Sequence, residues 1–144
     1  IVFEDGITNV ALRATELERH QIRPHLEKFL EWHAKAIEKQ VTLEKEIGRA
    51  RFDFAAWSVG RNWSGTQYYE TSFSFFSQNE NHHQLVWFFG EMKSLDNEYV
   101  THAPDALYFE VDQVEALLDA LDEESIDGFA AEQERQAEIE AEFQ

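Results

Sequence analysis

The spacing of apolar positions changes character near residue 48. From 24 to 47, Leu26, Phe29, Leu30, His33, Ile37 and Val41 recur at i, i+3, i+4 and i+7, the signature of one helix face. Glu27, Lys28, Glu31, Lys35, Glu38, Lys39 and Lys45 occupy the other faces and mix both signs. Residues 11–22 read as an earlier helix. The break between the two falls at Pro24, which has no backbone N–H and disfavours helical angles at Arg23. Gly48 serves as the terminator.

From Arg49 the period becomes two. Phe52 and Phe54 share one side of a predicted strand, with Arg51, Asp53 and Trp57 on the other. A wide connection over Gly60–Thr66, carrying one packed Trp63, leads to a second strand. There Tyr69, Thr71, Phe73 and Phe75 alternate with Tyr68, Glu70, Ser72 and Ser74, as in a half-buried antiparallel strand. After a polar turn at Ser77–His83, the run Leu85–Phe89 is apolar on both sides. Such a strand needs cover on both, or one side is an exposed patch for a partner. Residues 91–104 read as a loop and Leu107–Val111 as a fourth strand.

Asp112 opens a predicted helix, with Glu115 three residues on as its capping-box partner. Val114, Leu117, Leu118 and Leu121 form its apolar stripe. Asp112, Glu115, Asp119, Asp122 and Glu123 form an acidic ridge facing away. Residues 129–143 combine helix-forming composition with strict alternation and are assigned to a further helix. The fold class expected is α+β: N-terminal helices packed on a three- to four-stranded antiparallel sheet, then one or two acidic C-terminal helices. Residues 1–144 are expected to form one domain.

Composition sharpens this picture through charge. The 144 residues carry 29 acidic and 12 basic side chains, a formal net charge of −17. The imbalance is segregated: residues 105–144 hold fourteen carboxylates against Arg135 alone, a local net charge of −13. A field of that sign repels phosphate backbones and anionic bilayers, so direct binding to nucleic acid or membrane is not expected. A merely solvating acidic face, or salt adaptation, accounts for acids in general, but adaptation would spread them over the whole surface. There is no cysteine, which excludes disulfides and thiolate chemistry. No leader or membrane-spanning run is recognised, and a cytoplasmic location is the expectation.

Candidate chemistry is sparse. The six histidines form no zinc or di-iron motif. His33 sits on an apolar helix face, where a packed histidine is the commoner use. His82 and His83, beside Glu80, point to opposite sides of a strand and make a poor chelate. The Gly60–Gly65 segment matches neither a phosphate-binding loop nor a nucleophile elbow. Arg49, Arg51 and Arg61 could gather around an anion, but salt bridges explain them equally well. No metal, cofactor or catalytic residue is assigned, and the balance leans against an enzyme.

The leading expectation is therefore an acidic protein-binding module of the inhibitor, immunity or anti-defence type. Asp112, Glu115, Asp119, Asp122, Glu123 and Glu124 would engage a basic partner, such as a nuclease or other nucleic-acid-binding protein, by phosphate mimicry. The alternative is a small-ligand-binding or enzymatic domain. Its aromatic pocket, on a curved antiparallel sheet, would be lined by Arg51, Tyr69, Phe73 and Trp87. A third reading is a homo-oligomeric subunit joined through Leu85–Phe89 or the alternating C-terminal segment.

Overall fold

The computed structural model describes residues 1–5, 8–97 and 99–121. The predicted helix at 129–143 and the acids Asp122, Glu123 and Glu124 lie outside the described residues. The elements run β1 (Val2–Asp5), β2 (Thr8–Leu12), α1 (Glu16–Lys39), β3 (Glu44–Val59), β4 (Asn62–Asn79) and β5 (His82–Phe89). They continue through β6 (Met92–Lys93), β7 (Thr101–His102), β8 (Leu107–Phe109) and α2 (Val111–Ala120). Among the described residues the architecture is α+β: a curled six-stranded antiparallel sheet, ordered β1-β2-β3-β4-β5-β8, with two helices. The small β6–β7 ribbon pairs separately.

The layout corrects the sequence expectation in several places. One N-terminal helix stands where two were expected, because 24 residues run unbroken through Pro24. Tertiary contacts outweigh the roughly 3 kcal/mol an interior proline costs. Ile22, Leu26 and Phe29, which flank Pro24, are completely buried against the sheet. The start of the helix expected at 11–22 is not helical: Ala11 and Leu12 end a strand over residues 8–12, with Thr8, Val10 and Leu12 facing inward at period two. α1 stops at Gln40, whose left-handed conformation (φ 53°) lets its N–H reach the carbonyls of Ala36 and Ile37. β3 is therefore already under way at Gly48.

Gly48 has a different task. It lies at an irregularity in the β3–β4 register, between Glu46 and Gly48, against the imidazole of His25. A Cβ there would sit 2.3 Å from His25 Cε1. The ring is held by a 2.8 Å hydrogen bond between His25 Nε2 and Arg49 O. Since the carbonyl can only accept, Nε2 carries the proton.

β3 and β4 are tied by a tight two-residue turn, Gly60–Arg61, and not by a wide connection. Gly60 takes φ 63° without steric cost. Trp63 is 56% exposed, so the turn has no packed tryptophan. Along β3, burial changes parity between Phe52 and Ala55, which places Trp57 inside with Val10 and not beside Arg51. On β4 the same place is marked by Tyr68 at φ 55°. A non-glycine residue in that region bends the strand at a cost of about 1–2 kcal/mol. The bend turns the sheet so far that Phe3 of β1 meets Phe89 of β5, at 5.0 Å between rings.

The core fills the concave side. Phe52, Phe73, Phe75, Leu85 and Trp87 point inward from β3, β4 and β5, and α1 lies over them with Phe29 5.4 Å from Phe75. α2 closes the β5–β8 side with Val114 and Leu121. It begins two residues earlier than expected. Glu110 is the N-cap, and its backbone N–H donates to Gln113 Oε1 at 2.8 Å. α1 is anchored comparably: Glu18, 1% exposed, accepts from the Thr15 hydroxyl and from the Thr15 and Asp53 backbone N–H groups. Burial would raise its carboxyl, but these hydrogen bonds together hold it below the ordinary value.

Candidate functional site

The side chains grouped by sequence as a possible pocket do not converge. Phe73 and Trp87 stack at 4.8 Å and are inaccessible. Tyr69 is buried beside them, its hydroxyl donating to Gly90 O, and burial pushes that hydroxyl well above the ordinary tyrosine value. Arg51 lies across the sheet, paired in register with Glu70, with its guanidinium 5.6 Å from the Tyr68 ring. Three of the four belong to packed core, and the fourth to the surface. The three arginines do not gather either. Arg49 is held by Glu46 at 3.0 Å and Glu70 at 2.8 Å, while Arg61 occupies the hairpin turn, about ten residues further along β3.

The histidines divide likewise. His82 faces solvent and pairs with Glu110 at 2.7 Å. His83 turns inward, with Nε2 3.1 Å from Glu80 O and Nδ1 2.6 Å from Ser77 Oγ. The carbonyl accepts from Nε2–H, so Nδ1 accepts the Ser77 proton, and Ser77 Oγ accepts the Leu43 N–H at 2.9 Å. This chain ties the segment after α1 to the β4–β5 hairpin. The His33 ring is 5.4 Å from that of His83. Burial and the neighbouring His83 lower its pKa, against a smaller upward pull from Glu115. No group of three or more metal-ligating side chains occurs among the described residues.

The surface signal lies on the outer side of the sheet. In the Leu85–Phe89 run, Leu85 and Trp87 pair with Phe75 and Phe73 on the inner side, whereas Val86 and Phe88 pair with Ser74 and Ser72 on the outer. Tyr108 of β8 stands beside Val86. The helices pack on the inner side, so among the described residues neither covers this outer surface. Phe76, Val86, Phe88 and Tyr108 line a groove of about 540 Å³, with Glu44, Lys45 and Glu46 at its edge. Phe88 is 45% and Tyr108 58% exposed. The ammonium of Lys45 is drawn towards Trp32, 5.6 Å from the ring centroid, and the Glu46 carboxylate is engaged by Arg49, while Glu44 stands exposed at that edge. Beyond Tyr108 the chain passes through Glu110 into α2, where Asp112, Glu115 and Asp119 are exposed.

No family model matches this chain, and no curated protein or solved structure matches it at a significant level.

Proposed function

We propose that this protein is a binding module for a basic protein partner, with the outer aromatic groove as its apolar anchor and the exposed carboxylates of Glu44 and of α2 as its charged contacts. The groove lined by Phe76, Val86, Phe88 and Tyr108 and edged by Glu44 and Glu46, with Phe88 and Tyr108 exposed on it and Val86 buried at its base, carries this reading. Interfaces commonly combine a central aromatic patch with a polar rim. Acidic groups at such a rim accelerate association with a positively charged partner and reject anionic ones.

Phosphate mimicry is the finer form of the same reading. Asp112, Glu115 and Asp119 span about 10.5 Å of helix axis at 1.5 Å per residue, against about 3.4 Å of axis per phosphate on one DNA strand. The charge spacing is of the same order, and a rigid helix presents it without reorganisation. A partner that normally holds nucleic acid would then be blocked, which is the action of an inhibitor or immunity protein.

Capture from host lysate on immobilised protein, followed by rebinding of the purified partner, tests this. A basic nucleic-acid-binding protein should be retained by wild type and released by salt and by duplex DNA. The Phe88→Ser/Tyr108→Ser and Glu115→Gln/Asp119→Asn pairs should each weaken it at least tenfold. Equal retention by all three proteins would overturn the proposal.

A further inference from the structure

Four of the five lysines in this acidic chain surround one strip of α1 and the start of β3. Trp32 and Ala36 of α1, with Val41 and Leu43 of the segment leading to β3, form an apolar floor of about 290 Å³. Lys35, Lys39 and Lys45 rim it. Lys28 and Lys45 place their ammonium groups 5.0 and 5.6 Å from the Trp32 ring centroid. Val41 and Leu43 are 45% and 37% exposed. Cation–π contacts of this kind hold each ammonium beside the indole while leaving its other donors to water.

The arrangement is out of keeping with the chain around it. A protein of net charge −17 gains nothing in solubility from collecting its cations around exposed apolar side chains. Glu31 takes one of them, Lys35, at 2.9 Å, but both partners are exposed and the bond is readily exchanged. The Lys28–Lys39 strip covers about 16 Å of helix axis at 1.5 Å per residue, the length of roughly five extended residues. Its floor is apolar, with charge along the rim.

We infer that this strip is a second interaction surface, of opposite sign to the first, which docks an acidic peptide segment carrying bulky apolar side chains. Charge complementarity selects the acidic partner: carboxylates reach Lys35, Lys39 and Lys45 while an apolar side chain settles on Ala36, Val41 and Leu43 against Trp32. Nucleic acid is repelled by the net negative charge of the rest of the chain. The surface is distinct from the outer aromatic groove and shares only Lys45 with it.

The test uses the full chain and a fluorescein-labelled peptide, Glu-Glu-Phe-Glu-Glu-Leu, with blocked ends, followed by fluorescence anisotropy. Saturable binding is expected. It should weaken about tenfold for Lys35→Gln/Lys39→Gln/Lys45→Gln, taking each exposed pair as worth up to a few-fold. It should also weaken between low and high salt. The peptide with Gln for Glu should not bind, and Phe88→Ser in the other groove should leave binding unchanged. Far-UV circular dichroism and the urea midpoint show whether the triple variant is folded, which three exposed substitutions should preserve. Absence of binding to wild type, equal binding by the folded triple variant, or loss on Phe88→Ser would each overturn the inference. Phe88→Ser also separates the two proposals, because it disables the outer groove alone.

Discussion

Replacing Gly48 with alanine isolates a single steric contact. The new Cβ would lie 2.3 Å from His25 Cε1 and 2.6 Å from Nδ1, where carbon atoms ordinarily rest about 3.5–4.0 Å apart. The imidazole must therefore move by more than about 1 Å. It is restrained on one side by its hydrogen bond to Arg49 O and on another by Phe73, whose ring centroid is 5.4 Å away. Overpacking and loss of that bond together should cost about 2–4 kcal/mol. For a chain of this size that is a fall in Tm of roughly 6–14 °C. Urea and thermal unfolding of wild type, Gly48→Ala, His25→Ala and the double variant measure it as a cycle. With the imidazole gone, Gly48→Ala should turn neutral or stabilise by about 0.5–1 kcal/mol, because alanine loses less backbone entropy in a strand. A Gly48→Ala variant within about 0.5 kcal/mol of wild type, or one equally destabilised in the His25→Ala background, would refute the steric account.

Three further outcomes follow from buried polar groups. Glu18→Gln keeps the size of the side chain but weakens its bonds to Thr15 and Asp53, and should cost about 1.5–3 kcal/mol in urea unfolding. Because the Glu18 carboxyl is held below its ordinary value, its contribution is present above the unfolded pKa and is lost as pH falls through the folded one. His33 is also lowered, by burial and His83, so folding favours its neutral form. Its stabilisation is complete above the ordinary value of 6.5 and should decline as pH falls through the lower folded pKa. A His33→Gln variant should show a flatter urea midpoint between pH 7 and about 5. Ser77→Ala leaves Nδ1 of the buried His83 without its donor and should cost about 1–3 kcal/mol, measured by thermal unfolding.

Much of the sheet was legible because period-two alternation reports which side of a strand is buried. Tyr69, Thr71, Phe73 and Phe75 face inward together, as their spacing requires. The apolar stripe of α2 was legible for the same reason at helical period, with Val114 and Leu121 buried. The two-sided Leu85–Phe89 run announced that one side lacked cover or needed it. Which side, and that α1 lies on the inner one, depended on the register of β5 against β4, which no local pattern encodes. The Thr8–Leu12 strand went unread because its five residues present only three inward positions.

The residues themselves determined the class of the molecule. Alternation, helical spacing, charge segregation and the lack of cysteine dictate an acidic α+β protein without thiol or disulfide chemistry, because these properties depend on side-chain identity and order alone. Tertiary structure decided everything that depends on approach between distant segments. Pro24 stays inside α1 because core burial outweighs its local penalty, and Gly48 is needed because His25, from another element, passes against it. Arg51 parts from Tyr69, Phe73 and Trp87 because neighbours along a strand face opposite ways. The aromatic groove exists only once β3, β4, β5 and β8 have paired, since it joins residues that the chain keeps far apart, whereas the lysine-rimmed strip lies within residues 28–45 and needs only the fold of the segment after α1 back along the helix.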